Sequence, residues 1–241
     1  MIELENITMK EFSNGLRRTR TIVFPFGTIE EHGEHLPLNT DSLIILEALR
    51  RMKRKKEFFL APVLDYGVCT SNKDHPGTLS ISPETLRSLS RDLVTEAYKK
   101  GLRNFLLVSG HGGGLHMAAL KEAAEELVGR LDGMTMAVFT PYDLMWQELS
   151  GLAETPNDSH AGELETSMVL FLSPRMVKGR AAEEYPKFPK ALVVRDKVSC
   201  WPGGVWGNPR KASAEKGEKA INWMAAKIAE VLDIIEQRAK G

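Results

Sequence analysis

Four short runs of apolar residues recur along the chain, and none of them alternates with polar residues. They occupy residues 21–26, 58–64, 104–108 and 134–139. Runs of this length without alternation are typical of strands that are covered on both faces, as in a parallel sheet. The pattern therefore predicts four buried strands.

The segments between and after these runs place apolar residues three and four positions apart, the spacing of a helix that packs through one face. This spacing predicts helices over residues 41–54, 83–100, 114–131, 161–172 and 214–238. Ser82 and Pro83 suit the start of the second helix, and Gly101 suits its end. Alternating strands and helices predict an α/β fold with a mostly parallel sheet and helices on both faces. No repeat or linker divides the chain, so residues 1–241 are expected to form a single domain.

The composition narrows the class of protein. The chain has 241 residues, of which 42% are hydrophobic and 27% charged, as is ordinary for a globular protein. Its 32 basic and 32 acidic residues cancel, whereas a nucleic-acid-binding surface normally brings a basic excess. Neither a signal peptide nor an apolar run long enough to span a bilayer is visible. Cys69 and Cys200 lack the spacing of a redox motif, and we expect both to be buried apolar fillers. A cytoplasmic protein without a nucleic-acid or membrane partner is expected.

Potential metal ligands collect where two of the predicted strands end. Glu30, His32 and Asp41 follow the first strand, and His111 lies in a glycine-rich turn after the third. Ligands of such folds bind beyond the carboxyl ends of the strands, so the two segments can meet. Mixed carboxylate and imidazole donors suit zinc, manganese or ferrous iron, and a carboxylate can bridge two ions. Each residue alone has a structural alternative, since Asp41 could cap a helix and His111 could be a hydrogen-bonded loop residue. Together they predict a metal site.

A third polar group begins at His160. Glu163 and Glu165 follow it at the start of a predicted helix, where acidic side chains also serve as caps. The functional interpretation makes His160 a general acid or base beside the metals, and Glu165 a ligand or the partner of a ligand. Because the two are five positions apart, they need not share one helix face, and their roles can be split between the helix and the preceding loop.

Three segments together resemble the creatininase (creatinine amidohydrolase) family. They are GTIEEHGEHLPLNTD at residues 27–41, SGHGGG at 109–114 and HAGELETS at 160–167. The sequences HPGT at 75–78 and GVWGNP at 204–209 also resemble landmarks of that family. The first segment is long enough to be highly specific, and the likeness extends over most of the chain.

The resemblance implies a three-layer α/β/α sandwich and a metal-dependent amidohydrolase that attacks carbon–nitrogen bonds other than typical peptide bonds. It implies one or two divalent ions, zinc, manganese or iron, with Glu30 and His111 on one ion, His32 on the other and Asp41 bridging them. A water activated by the metal would be the nucleophile, and His160 would shuttle protons. Members of the family form homo-hexamers, so a homo-oligomer is expected.

The chain departs from the family pattern in the histidine turn. Creatininase supplies a further glutamate ligand two residues after the turn histidine, and Gly113 stands at that position here. The second ion therefore lacks a ligand unless Glu165 or water replaces it. Ser109 and Gly114 also replace asparagines of the usual turn. These departures make creatinine itself a doubtful substrate.

Several further residues keep two interpretations each. His35 either orients its loop or contacts substrate, His75 either lines the pocket or stabilises a turn, and His116 is expected to be structural or exposed. Three tryptophans either close the pocket or are packing residues, namely Trp146, Trp201 and Trp206.

The leading hypothesis is an amidohydrolase that acts on a small cyclic or formylated amide. One alternative is a deformylase of a formylamino-pyrimidine nucleotide in riboflavin or deazaflavin synthesis, which requires a phosphate site. Arg210 and Lys211, next to Ser213, either form that site or belong to a solvated helix start. Another is a peptidase that trims the precursor of a redox cofactor and needs an open cleft. A metal-binding scaffold without activity is the non-enzymatic alternative.

Overall fold

The computed structural model describes residues 1–238 of the chain. A single sheet forms its centre. Its strands are β1 (Ile2–Glu3), β2 (Thr21–Phe26), β3 (Phe59–Leu60), β4 (Asn104–Ser109) and β5 (Thr135–Phe139). All of the pairings in this sheet are parallel, and the spatial order is β1-β3-β2-β4-β5. The predicted parallel sheet is confirmed.

Helices cover both faces of the sheet. They are α1 (Met9–Gly15), α2 (Thr40–Arg50), α3 (Pro83–Lys99), α4 (Gly114–Arg130), α5 (Pro141–Leu144), α6 (Trp146–Leu152), α7 (Glu163–Leu172), α8 (Lys197–Cys200) and α9 (Ala214–Arg238). One core lies between the sheet and α1, α3 and α4, and the other lies between the sheet and α2, α6, α7 and α9. The result is the predicted three-layer α/β/α sandwich.

The central strands bury both of their faces. Along β2, Ile22 and Phe24 belong to the first core, while Val23 belongs to the second. Phe105 and Leu106 of β4 divide between the two cores in the same way. Successive side chains of a strand point to opposite faces, so both the odd and the even positions of these strands must be apolar. This explains why the sequence shows no alternation.

The strand predicted over residues 58–64 is much shorter in the structure. Only Phe59–Leu60 forms ladder pairs, followed by one isolated bridge from Leu64 to Phe26. Pro62 lies between them, and a proline has no amide hydrogen to donate to a ladder. The two-residue strand β1 was not predicted, because two residues are too few to show a periodicity.

Two helices have ends that differ from the predicted ones. The helix predicted to reach residue 54 ends at Arg50, and Arg54 beyond it donates to Glu236 of α9 at 2.6 Å. The helix predicted from residue 161 begins at Glu163, because the Asp158 carboxylate accepts hydrogen bonds from the first amides of α7. The first boundary coincides with a partner distant in sequence, and the second with a carboxylate five residues before the helix. Within the described residues, no helix combines the length and the apolarity that a bilayer crossing needs.

Candidate metal centre

The two motif segments meet because their strands are neighbours. Phe26 at the end of β2 pairs with Ser109 at the end of β4, so the turns that follow leave the same edge of the sheet side by side. Across this junction Glu30 Oε2 lies 2.8 Å from His111 Nδ1. Both side chains are buried. The two strand ends thus supply one set of donor atoms, as the sequence predicted.

Asp41 lies between two histidines. Its Oδ1 is 3.3 Å from His32 Nε2, and its Oδ2 is 3.2 Å from His111 Nδ1. Thr28 Oγ1 donates a hydrogen bond of 2.5 Å to the same carboxylate. Asp41 lies in the first turn of α2, which follows β2 directly in the fold. A carboxylate whose two oxygens face different imidazoles has the arrangement of a ligand that bridges two ions.

Backbone carbonyls fix the orientation of both imidazoles. His32 Nδ1 lies 3.1 Å from the carbonyl oxygen of Glu30, and His111 Nε2 lies 3.2 Å from that of Val68. A carbonyl accepts only, so these nitrogens carry the hydrogens. In the neutral imidazoles, His32 Nε2 and His111 Nδ1 then keep lone pairs directed at Asp41. Histidine ligands of metals are commonly held in this way.

Charges within the group compensate one another. Burial raises the pKa of the Glu30 carboxyl, but His111 and His160 together outweigh burial and bring that pKa down to about 2. Burial lowers the pKa of His32, but Asp41, Glu165 and Glu30 together outweigh burial and raise that pKa to about 10. An imidazolium has no lone pair for a cation. Cation binding at these histidines must therefore release protons.

A second group of donors forms around His32. His32 Nε2 lies 3.8 Å from Glu165 Oε2, and the ring of His160 lies 4.2 Å from the ring of His32 between centroids. Donor atoms of His32, His160 and Glu165 all fall within 4.8 Å of one another. The Ala161 amide donates to Glu165 Oε2 at 2.6 Å and holds that carboxylate. The structure thus brings His160 from the loop and Glu165 from α7 to the same place.

Glu31 is a neighbour of His160 that the sequence interpretation missed. His160 Nε2 donates to the Glu31 carbonyl at 2.7 Å and lies 3.4 Å from its carboxylate. The amide of Gly33 and the side-chain amide of Asn72 hold that carboxylate, each at 2.9 Å. No signal in the sequence indicated this contact, because alternation in an extended segment predicts that Glu31 points away from Glu30 and His32.

Cys69 also lies at the centre. It is buried as predicted, but its sulfur, a Glu30 oxygen and a His111 nitrogen all fall within 4.8 Å of one another. Burial and then the charge of Glu30 raise the pKa of the Cys69 thiol. A thiol at this position adds a soft donor to a set of nitrogen and oxygen donors.

The other histidines support the site without lining its cavity. His35 is hydrogen-bonded to Thr166 of α7 at 2.8 Å, and His75 Nε2 donates to the Trp201 carbonyl at 2.5 Å. His116, for which exposure had been an option, is completely buried and accepts from the Val68 amide at 3.2 Å. Burial lowers the pKa of His35 to about 4 and that of His116 to about 3, so both are neutral near pH 7.

The turn that carries His111 has no space for a side chain at residue 113. A Cβ added to Gly113 would overlap the imidazole of His111, while one added to Gly112 meets no atom within 4 Å. The backbone of Gly113 itself has φ −58° and ψ 130°, which any residue can adopt. In this turn the His111 ring occupies the space beside residue 113, where a glutamate side chain would begin.

We expect Gly113→Ala to displace His111 and to lower the affinity for a divalent cation by roughly 10–100-fold, the usual effect of disturbing a ligand's support. Competition with a chromogenic chelator measures that affinity. Gly112→Ala is the matched control in the same turn and should leave the affinity unchanged. Equal affinities for both variants and the wild type would show that His111 does not hold the cation.

A cavity of about 940 Å³ opens in front of these donors. Glu30, Asp41, His111, His160 and Glu165 form part of its wall. The three tryptophans that the sequence left undecided, Trp146, Trp201 and Trp206, all line it. Trp201 is buried and stands edge-on to His160, with 5.2 Å between ring centroids, whereas Trp146 is exposed at the mouth. Among the described residues, no lysine or arginine lines this cavity.

Comparisons with known proteins identify the family of the chain. The model of the creatininase family, described as creatinine amidohydrolase, matches residues 5–232. The chain is 31% identical over 217 residues to the mycofactocin precursor peptide peptidase of Mycobacterium ulcerans (strain Agy99), covering 83% of this chain and 79% of the relative. It is 25% identical to the creatinine amidohydrolase of Pseudomonas putida, covering 88% of each protein.

Solved creatininase structures share the fold. A structure described as creatininase Mn gives a TM-score of 0.80 at 24% identity and covers 96% of this chain and 97% of that one. A creatininase variant of Zn-Zn type gives a TM-score of 0.77 at 24% identity, covering 95% and 96%. The resemblance inferred from the motifs is confirmed, and divalent metal ions are the cofactors that the donor set fits. The family model spans nearly the whole described chain, and this protein therefore belongs to the creatininase family of metal-dependent amidohydrolases.

Proposed function

We propose that this protein hydrolyses a carbon–nitrogen bond of its substrate at two divalent cations that Asp41 bridges. The observation that carries the proposal is the position of the Asp41 carboxylate, whose two oxygens lie 3.3 and 3.2 Å from different histidines. A carboxylate that only caps a helix accepts from backbone amides and needs neither of these contacts. The arrangement is that of a shared ligand.

The remaining donors divide between the two cations. Glu30 and His111 would hold the first together with Asp41, and His32 and Glu165 would hold the second. Glu165 thereby replaces the carboxylate that Gly113 cannot supply. Donors of these types suit zinc, manganese or ferrous iron. All of these side chains are buried, so little water competes for them.

The cations would supply Lewis acidity, which polarises a carbonyl and lowers the pKa of a bound water. His160 is the side chain that moves protons beside them. Its Nε2 hydrogen is engaged by the Glu31 carbonyl, so the other ring nitrogen is the one free to accept a proton. The Glu31 carboxylate at 3.4 Å favours the imidazolium that results. Protonated His160 can then donate to the leaving nitrogen.

The cavity favours a substrate larger than a single small ring. A volume of about 940 Å³ is at the upper end of the range of about 300–1,000 Å³ that is usual for sites of drug-sized ligands. Asp143, Glu154 and Asp158 lie on its wall, with no cation among the described lining residues. Without a lysine or arginine on its described wall, the cavity offers no cationic side chain that could bind a phosphate group. Arg210 and Lys211, the candidate phosphate site, lie outside this lining.

We therefore favour a short peptide that is neutral or positively charged as the substrate. The 31% identity to a relative named as a peptide peptidase supports this choice. A small cyclic or formylated amide is the second candidate, favoured by the match to a family model described as creatinine amidohydrolase. The deformylase alternative loses support because no lysine or arginine is among the described residues that line the cavity.

The test is turnover by the purified protein after its metal content has been measured. The panel contains creatinine, a formylamino-pyrimidine nucleotide, and short peptides that are cationic, neutral or anionic. We expect cleavage of neutral and cationic peptides, and loss of that activity in chelator-treated protein. Cleavage of the nucleotide alone would overturn the substrate proposal. A fully metallated protein that cleaves none of the panel would favour the scaffold alternative.

The predicted location and assembly remain part of the proposal. A cytoplasmic homo-oligomer, with a hexamer as the expected size, follows from the sequence and from the family. Light scattering of the purified protein measures its mass directly.

A further inference from the structure

Cys69 closes the back of the metal centre. It is 1% exposed and does not line the cavity, whereas Glu30 and His111 do. The Cys69 sulfur lies within 4.8 Å of the Glu30 and His111 donor atoms, which are themselves 2.8 Å apart. A cation held by Glu30 and His111 would thus have the cavity on one side and the thiol on the other.

Hydrogen bonds of the backbone at Val68 and Cys69 fix the segment that carries the thiol and also the ring of His111. The amide of Cys69 donates to Ser80 Oγ at 2.9 Å. The preceding residue, Val68, accepts from His111 Nε2 through its carbonyl and donates to His116 through its amide, each at 3.2 Å. The residue before the cysteine therefore fixes the orientation of His111. Support of this kind is what metal ligands usually have and what an apolar filler does not need.

We propose that Cys69 is a ligand of the cation held by Glu30 and His111. The inference rests on the proposed function, because it requires a cation at that place. When the sulfur binds, its proton leaves to solvent and a sulfur–metal bond takes the place of the sulfur–hydrogen bond. With Asp41, the first cation then has one nitrogen, two carboxylate groups and one sulfur as donors.

This ligand set separates the tasks of the two cations. Four protein ligands close a zinc site, whereas a site with fewer protein ligands keeps a position open for water or substrate. The first cation is then the closed one, and the second, beside His160, is the one open to the reaction. A thiolate also favours zinc over manganese, which prefers oxygen donors.

The test uses cobalt(II), which reports thiolate ligation by a charge-transfer absorption in the near ultraviolet. Cobalt is added to the protein after its metals have been removed, and bound cobalt is counted by mass spectrometry. We expect this band in the wild type and in Cys200→Ser, the control for the second cysteine. We expect it to be absent from Cys69→Ser, with cobalt still bound. The same variant should lose at least about tenfold in its preference for zinc over manganese.

The outcomes separate this inference from the proposed function. Cobalt bound to the wild type without the band would overturn the role of Cys69 and leave the metal centre standing. A band that persists in Cys69→Ser would also overturn it. If the folded wild type binds no cobalt, zinc or manganese, then both the ligand role and the proposed function are wrong.

Discussion

Asp41→Ala is expected to lose both cations and to be inactive. The substitution removes the carboxylate that lies between His32 and His111, and with it one proposed ligand of each cation. Metal catalysis of this kind contributes several kcal/mol, so we expect hydrolysis to fall by roughly a thousandfold or more. The measurement is the metal content after exhaustive dialysis, followed by turnover with the best substrate of the panel.

Glu236→Gln is the matched control. Glu236 is also a buried carboxylate, but it pairs with Arg54 at 2.6 Å and lies on α9, away from the metal centre. This variant should keep its metals even where it loses stability. Metal contents that are equal in Asp41→Ala and the wild type would contradict the bridging role of Asp41 and remove the basis of the proposed hydrolase mechanism.

His160→Ala is expected to keep its metals and to lose kcat by about 10²–10⁴-fold, the usual contribution of a positioned acid or base. Its ring stands against His32 and Trp201, with the Glu31 carbonyl fixing its direction. Without this ring, His111 is the one imidazole left among the described residues that line the cavity, and it is a proposed metal ligand. KM should change little, because the cations and the cavity wall remain.

Metal content decides what a loss of activity in His160→Ala means. Donor atoms of His160, His32 and Glu165 lie close enough to share one ion. A variant that loses one cation would identify His160 as a ligand, and the proton-transfer role would be wrong. His35→Asn is a suitable control, since His35 is a buried histidine that contacts Thr166 and does not line the cavity. It should retain both metal and kcat.

The central strands could be predicted from the pattern of apolar residues along the chain. Strands β2 and β4 are buried on both faces because helices cover the sheet on both sides. Their apolar runs are therefore uninterrupted and easy to recognise in the sequence. The helix boundaries that were predicted wrongly depend on side-chain contacts that lie outside the apolar pattern. Arg54 leaves its helix for Glu236, and Asp158 starts α7 from the preceding loop. Local periodicity contains no information on such contacts.

The proximity of the candidate ligands was predictable where they belong to a recognisable motif and follow a strand. Glu30, His32, Asp41 and His111 met both conditions. Cys69 met neither, because the segment that carries it is irregular and its neighbours become visible only when β2 and β4 pair. The sequence shows that Gly113 stands where the family has a glutamate. The overlap of a side chain at this position with His111 depends on the path of the turn, which the sequence does not reveal.

The cavity wall and the metal donors come from different parts of the chain, and this has an evolutionary consequence. Most of the donors follow β2 and β4, whereas much of the wall belongs to the segment between β5 and α7, including Tyr142, Trp146 and Glu154. Substitutions of wall residues such as Trp146 and Glu154 can alter substrate choice while the proposed metal ligands and His160 stay in place. Descendants of one ancestral hydrolase can therefore diverge toward peptides, cyclic amides or other substrates without passing through an inactive intermediate.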